Sequence, residues 1–336
     1  NILLKYSGNN KNLVIPEGVI DVSANALQNS DIVSVSIPSS LKSIEESAFE
    51  GCKNLKSFEC DENSSLSVIM KNAFKDCSSL ESVSLSKGLT TIEGYAFYGC
   101  INLKEIDLSS DYLTEVSEYA FANCNSLSNV TFGHSISVVK DYAFYQTSLS
   151  SVKFSKSITT IGDYAFANIG IADNKLELFN NWTITPTLSV IEFSSDANLT
   201  HIGKYAFANN IVKSVDLPDT NSLYLDEFCF ANSKDLTVFK VNVGTTITQG
   251  VISGASKLHT LEIPSEISVT SMFGGYVSMV PSTLKTINIA DGSTSVKNSA
   301  FAGLGMVETI NLPSSVTTLG SKPAAQGLSL ETSTFS

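Results

Sequence analysis

His134, His201 and His259, six cysteines and a surplus of carboxylates are the residues of this chain whose types could bind a metal or carry acid–base or nucleophilic chemistry. Each of those chemistries requires several such groups converging at a fixed spacing. A zinc hydrolase places two histidines one helical turn apart, and none of the three histidines has a histidine at i+4. A glycine-rich phosphate loop, a glycine-flanked nucleophile and a Cys-x-x-Cys redox pair are likewise missing from the sequence. A solenoid enzyme that cuts acidic polysaccharides needs clustered aspartates with arginine or lysine on one face, but the chain has no arginine and no aspartate ladder. The sequence argues against an enzyme and offers no cofactor or metal site.

The cysteines instead follow a period. Cys52, Cys77, Cys100 and Cys124 each lie three residues after a phenylalanine, Cys60 takes the last apolar position of a strand pattern, and Cys229 replaces the alanine before Phe230. Equivalent cysteines on stacked coils point in parallel rather than toward one another, which is poor bridge geometry. They are expected as buried free thiols acting as small hydrophobes, so their number does not identify a redox compartment.

The phenylalanine itself returns about every 23 residues. It stands at Phe49, Phe74, Phe97, Phe121, Phe144, Phe166, Phe207, Phe230, Phe273 and Phe301, with Leu27, Ile252 and Ala324 in the same slot of weaker copies. A fixed period of this length carrying a leucine-bearing strand predicts stacked solenoid coils, each too small to bury its apolar face alone. Six residues after each anchor comes a segment such as Leu103, Ile106, Leu108, with β-branched residues where a half-buried pleat wants them. A second apolar pair, such as Leu41 and Ile44, precedes the next anchor by five residues and turns the corner. The residues around each Ala-Phe predict one helical turn or a 3₁₀ segment, with alanine where neighbouring coils leave no room for more. Pro16, Pro38, Pro218, Pro264 and Pro313 all fall just past a strand, where the backbone donor is no longer needed.

The segments SSLKSIEESAFEGCKNLKSFEC, KGLTTIEGYAFYGCINLKEIDL and SSVTTLGSKP resemble the repeat of BspA-like leucine-rich proteins, also called the Treponema-type repeat, from Asn12 to Leu319. The expected fold is an α/β-type leucine-rich repeat solenoid. It is a curved right-handed stack of about 12 coils, with a parallel β-sheet on the concave face and short strands or single helical turns elsewhere. It is expected as one domain over residues 1–336, with an N-terminal cap over 1–20. Insertions are expected at about 170–187 and 274–283, and 320–336 reads as a degenerate last coil or a truncation. The resemblance implies a secreted or surface-displayed protein of the kind that attaches to host matrix or plasma proteins and to other cells.

A formal net charge of −12 without arginine disfavours nucleic acid and anionic membranes as partners. No run approaches the ~20 apolar residues that span a bilayer, and no targeting segment opens the chain.

Binding candidates fall in three groups. The outward strand positions include Glu59, Asp107, Lys153, Glu192, Asp216, Lys240 and Glu262, with His259 in a neighbouring row, a mixed and nearly neutral face lacking the aromatic and arginine anchors of tight interfaces. Tyr95, Tyr119, Tyr142, Tyr164 and Tyr205, continued by Phe228, stand two residues before successive anchors. They form either a stack that stiffens the coils or an exposed aromatic stripe, which Tyr98 and Tyr145 would widen. The longer insertion carries Phe179 and Trp182, and insertions in repeat proteins map to loops that carry function. The favoured reading is a non-catalytic recognition or adhesion module with a protein ligand, a glycan being the other candidate. A spacer that presents another module stands as the alternative, ahead of a carbohydrate-active solenoid.

Overall fold

The computed structural model describes residues 1–336 except 7, 9, 61–63, 170–184, 221, 298–299, 321–330 and 333–336. Two compact units divide the chain, Asn1–Asn168 and Ile169–Ser336, and the boundary falls where the longer insertion is expected to begin. Phe179 and Trp182 lie outside the described residues.

Within the first unit, strands Asn12–Val14, Ser34–Ser36, Ser57–Glu59 and Ser82–Val83 form one parallel sheet. Glu105–Leu108 pairs in parallel with Asn129–Phe132. A second row of two-residue strands runs through the apolar pairs, with Ile44 aligned to Ile69 and Ile69 to Ile92. Equivalent residues of successive coils therefore lie side by side at the spacing of hydrogen-bonded strands. That register stacks the anchors: Phe49 and Phe74 lie 5.0 Å apart with 1° between ring planes, and Phe74 and Phe97 also 5.0 Å apart. All are fully buried.

The second unit repeats the plan. Ser214–Asp216, Val238–Lys240, Thr260–Ile263, Thr286–Ile289, Thr309–Leu312 and Glu331–Thr332 make one parallel sheet, and Phe207 stacks on Phe230 at 5.3 Å.

The architecture is the expected leucine-rich repeat solenoid, a stack of parallel strands with almost no helix. Among the described residues helix is confined to Val269–Met272 and a 3₁₀ turn at Val277–Met279. The Ala-Phe segment is not a helical turn. The residues two before and two after most of the anchors have left-handed φ, as at Asn72 and Asp76 around Phe74, and at Tyr119 and Asn123 around Phe121. The anchor between them keeps a negative φ, and this alternation turns every second peptide the same way. Tyr95, Phe97 and Gly99 all donate to the next coil, to the carbonyls of Glu118, Ala120 and Ala122, at 3.1, 2.8 and 3.0 Å. The intervening amides close local turns instead, Tyr98 to Tyr95 and Cys100 to Phe97. An ordinary parallel strand sends alternate N–H groups to opposite neighbours. Here three peptides per coil point one way, and their dipoles add rather than cancel, as they do in a helix.

Candidate functional site

The strand face is charge-paired from coil to coil. Lys87 reaches Asp107 at 2.8 Å and Lys104 reaches Glu81 at 2.9 Å in the first unit. In the second, Lys240 meets Glu262 at 3.1 Å and Lys285 meets Glu308 at 2.8 Å. Partial burial raises the Asp107 pKa, but hydrogen bonds from Lys87 and Ser109 outweigh it and hold the carboxyl below its usual value. Three of the candidate residues, Asp107, Lys240 and Glu262, are thus engaged within their own sheet. Glu59, Lys153, Glu192, Asp216 and His259 are exposed, with the His259 ring 3.2 Å from the Thr260 hydroxyl. Val190 and Val238 stand out of the same face in the second unit.

Tyrosines of the first unit form a continuous stack. Tyr95, Tyr119, Tyr142 and Tyr164 follow at 4.6, 4.6 and 4.7 Å with planes within 8°. Each ring is half-buried, and both faces of Tyr119 and Tyr142 are covered by their neighbours in the stack. Sugars and cations that stack on aromatic faces find few free faces here. Tyr98 sits 5.6 Å from Tyr95 and accepts a hydrogen bond from Asn123, whereas Tyr145 is buried. Burial, with Glu118 beside them, raises the pKa of Tyr95 and Tyr119. In the second unit, burial and Glu227 push Tyr205 up to about 12.

The thiols are all free and, except for half-buried Cys60, buried. Their shared position has a hydrogen-bonding reason. Cys52, Cys77, Cys100 and Cys124 donate to the anchor carbonyls of Leu27, Phe49, Phe74 and Phe97 one coil back, at 3.0–3.2 Å. Thr147 and Asn210 take the same slot and donate to the anchor carbonyl of their own coil.

The smaller insertion gives the second unit a different surface. The helix Val269–Met272 accepts the last aligned amides, from Gly250 to Ser271 and from Ile252 to Met272. Beyond it Gly274 and Gly275 take φ of +111° and +101°, a conformation that suits glycine. Gln249 fixes the Gly274 carbonyl at 2.8 Å. Buried Phe273 and Met272 pin the loop on one side, Val280 and Leu284 on the other. Its tip presents Tyr276, Val277 and Met279, which are 67%, 40% and 50% exposed. The sequence marks this segment only by its Gly-Gly pair and the broken step between anchors. Among the described residues no group of histidine, cysteine, aspartate and glutamate could hold a metal ion, and no helix is long and apolar enough to cross a membrane.

Coils of this period, with a parallel sheet on one side and an anchored turn on another, define a leucine-rich repeat protein. The family described as BspA type leucine rich repeat region (6 copies) matches residues 5–66, 61–172, 174–275 and 279–336, and the chain belongs to that family. A leucine-rich repeat protein from Bacteroides ovatus is similar in structure, with a TM-score of 0.65 and 22% identity over 92% of this chain and 82% of its own. A leucine rich cell surface protein from Faecalibacterium prausnitzii is also similar, with a TM-score of 0.53 and 23% identity over 96% of this chain and 89% of its own. No curated protein matches the chain. The family is typical of bacterial surface proteins, and its members are generally non-catalytic.

Proposed function

We propose that this chain is a non-catalytic recognition module, displayed outside the cell, that binds a protein ligand through the interruptions of its repeat. The observation that carries this reading is the tip of the 274–283 loop: three exposed apolar side chains held on a pinned backbone, beside a strand face whose charges neutralise one another. Tyrosine is favoured at interface hot spots, and a fixed loop loses little entropy on binding. The description of the Faecalibacterium prausnitzii relative as a cell surface protein supports the placement. Phe179 and Trp182 of the longer insertion are proposed as further contacts.

The test is binding of the purified chain to immobilised matrix proteins, plasma proteins and glycans, with turnover of a polysaccharide panel measured in parallel. Saturable binding to a protein without turnover is expected. Binding to nothing on the panel would favour a spacer, and released product would favour an enzyme.

A further inference from the structure

The anchor turns change character inside the second unit. Three residues before their anchors stand Lys204 and Glu227, which meet across two coils at 3.2 Å. The next turns have Gln249 and Thr270 at that place, and residues 243–256, 267–284 and 300–307 contain no acidic or basic side chain. These stretches are neighbours in space. Gly250 and Ile252 donate to the carbonyls of Ser271 and Met272. Val277 reaches the turn at Phe301, its Cγ2 3.1 Å from where a Cβ on Gly303 would stand. The flanking lysines Lys257 and Lys285 are held by Asp235 and Glu308. An uncharged surface therefore runs over three coils, with the 274–283 tip beside exposed Ala302, Gly303 and Gly305. A Cβ on Gly305 would meet nothing within 4 Å, so the ground next to the tip is open.

The lack of charge selects the partner. A carboxylate, phosphate or ammonium pressed onto this surface loses its hydration and gains no opposite charge. A sugar needs hydrogen-bonding side chains, and Gln249 already gives its amide to the Gly274 carbonyl. An apolar protein surface loses nothing by the contact. Interface centres are depleted in charge and enriched in tyrosine and methionine, and Tyr276 brings a large ring with a polar tip.

We propose that the loop tip and the turn at Phe301 form one interface, and that its partner is a protein presenting an uncharged apolar recess to Tyr276, Val277 and Met279. The proposal rests on the recognition reading and adds the extent of the surface and the chemistry of the partner. Ala302, outside the loop, belongs to the contact, and affinity is insensitive to salt because no ion pair forms across it.

The test uses the whole chain, Tyr276→Ser with Met279→Ser, and Ala302→Glu, which adds a charge at an exposed position outside the loop. Retention on phenyl agarose in about 1 M ammonium sulfate should fall in both variants. It should stay near the parent in Leu4→Ser with Val14→Ser, which removes exposed apolar side chains of the first unit. Binding to a matrix or plasma protein should change less than about twofold between about 50 and about 500 mM salt, and Ala302→Glu should weaken it about tenfold. A loss of about tenfold with salt, or retention unchanged in either variant, would overturn the assignment. So would tighter binding to phosphatidylcholine vesicles or to a second copy of the chain than to any protein on the panel. Retention lost in both variants with no protein bound would keep the apolar surface and reject the recognition reading. A protein bound equally by the parent and by Ala302→Glu would reject this interface and keep that reading.

Discussion

Tyr119 lies 4.6 Å from Tyr142 with 4° between their rings, although both residues hold left-handed backbone, at φ of 55° and 57°. That conformation costs a residue with a Cβ roughly 1–2 kcal/mol, and it is kept because it aims a third amide at the next coil while the rings stack outside. Both Tyr119→Ala and Tyr119→Gly lose two ring stacks, about 1–3 kcal/mol together, but only alanine retains the strain. Glycine at position 119 should therefore be more stable than alanine by about 1 kcal/mol, the reverse of the order in ordinary strands. Urea midpoints of the two variants decide it, and alanine equal to or above glycine would mean the conformation carries no strain.

Gly250 tests the same backbone from the other direction. Its φ is +74°, and a Cβ there would meet the Phe228 ring at 2.1 Å. Gly250→Ala combines a disfavoured conformation with a clash and should cost about 2–4 kcal/mol. A thermal melt that matches the parent would contradict the packing described for this turn.

Alkaline pH should loosen the fold through its half-buried tyrosines. Tyr205 titrates near 12 when folded against 10.0 for a free phenol, and Tyr95 and Tyr119 are shifted the same way. Between those values the unfolded chain loses its proton first, so the stabilisation is complete below pH 10 and is lost as pH rises toward 12. Denaturant midpoints measured across that window should fall, and phenolate absorbance should lag the free-tyrosine curve until unfolding. A flat profile would show that the stack is solvated.

Apart from Cys52, whose pKa hydrogen bonds from Cys77 and Ser30 bring down to about 7 although it is buried, the thiol row should be inert in the native chain. Burial pushes Cys77, Cys100, Cys124 and Cys229 well above the usual thiol range, and reactivity follows thiolate content and access. Native protein treated with a disulfide reagent should label at Cys60, the half-buried thiol, and gain the remaining sites on denaturation. Rapid labelling of Cys100 would contradict the hydrogen bond it gives to the Phe74 carbonyl.

Period and composition disclose the coil, the Phe stack, the free thiols and the tyrosine row, because each depends on one residue type recurring at one spacing. The left-handed positions were partly written as well: Asn25, Asn29, Asn72, Asp76, Asn123, Asn209 and Asn232 are types that tolerate positive φ. Tyrosine at the same slot hides that signal, since a bulky residue rarely adopts it, and the Ala-Phe segment therefore reads as helix. Lysine pairings such as Lys87 with Asp107 were not legible, because a long flexible side chain chooses among carboxylates on several neighbouring coils. The exposure of Tyr276 and Met279 depends on how Val280 and Leu284 fold back beneath them, which no local pattern announces.

The most direct test of the recognition surface is equilibrium binding of the parent and of a Tyr276→Ser, Met279→Ser chain to the protein ligand found on the panel. Both side chains are exposed, so the variant should fold like the parent. The account predicts at least about a tenfold loss of affinity; unchanged affinity in a folded variant would contradict it and return recognition to the strand face.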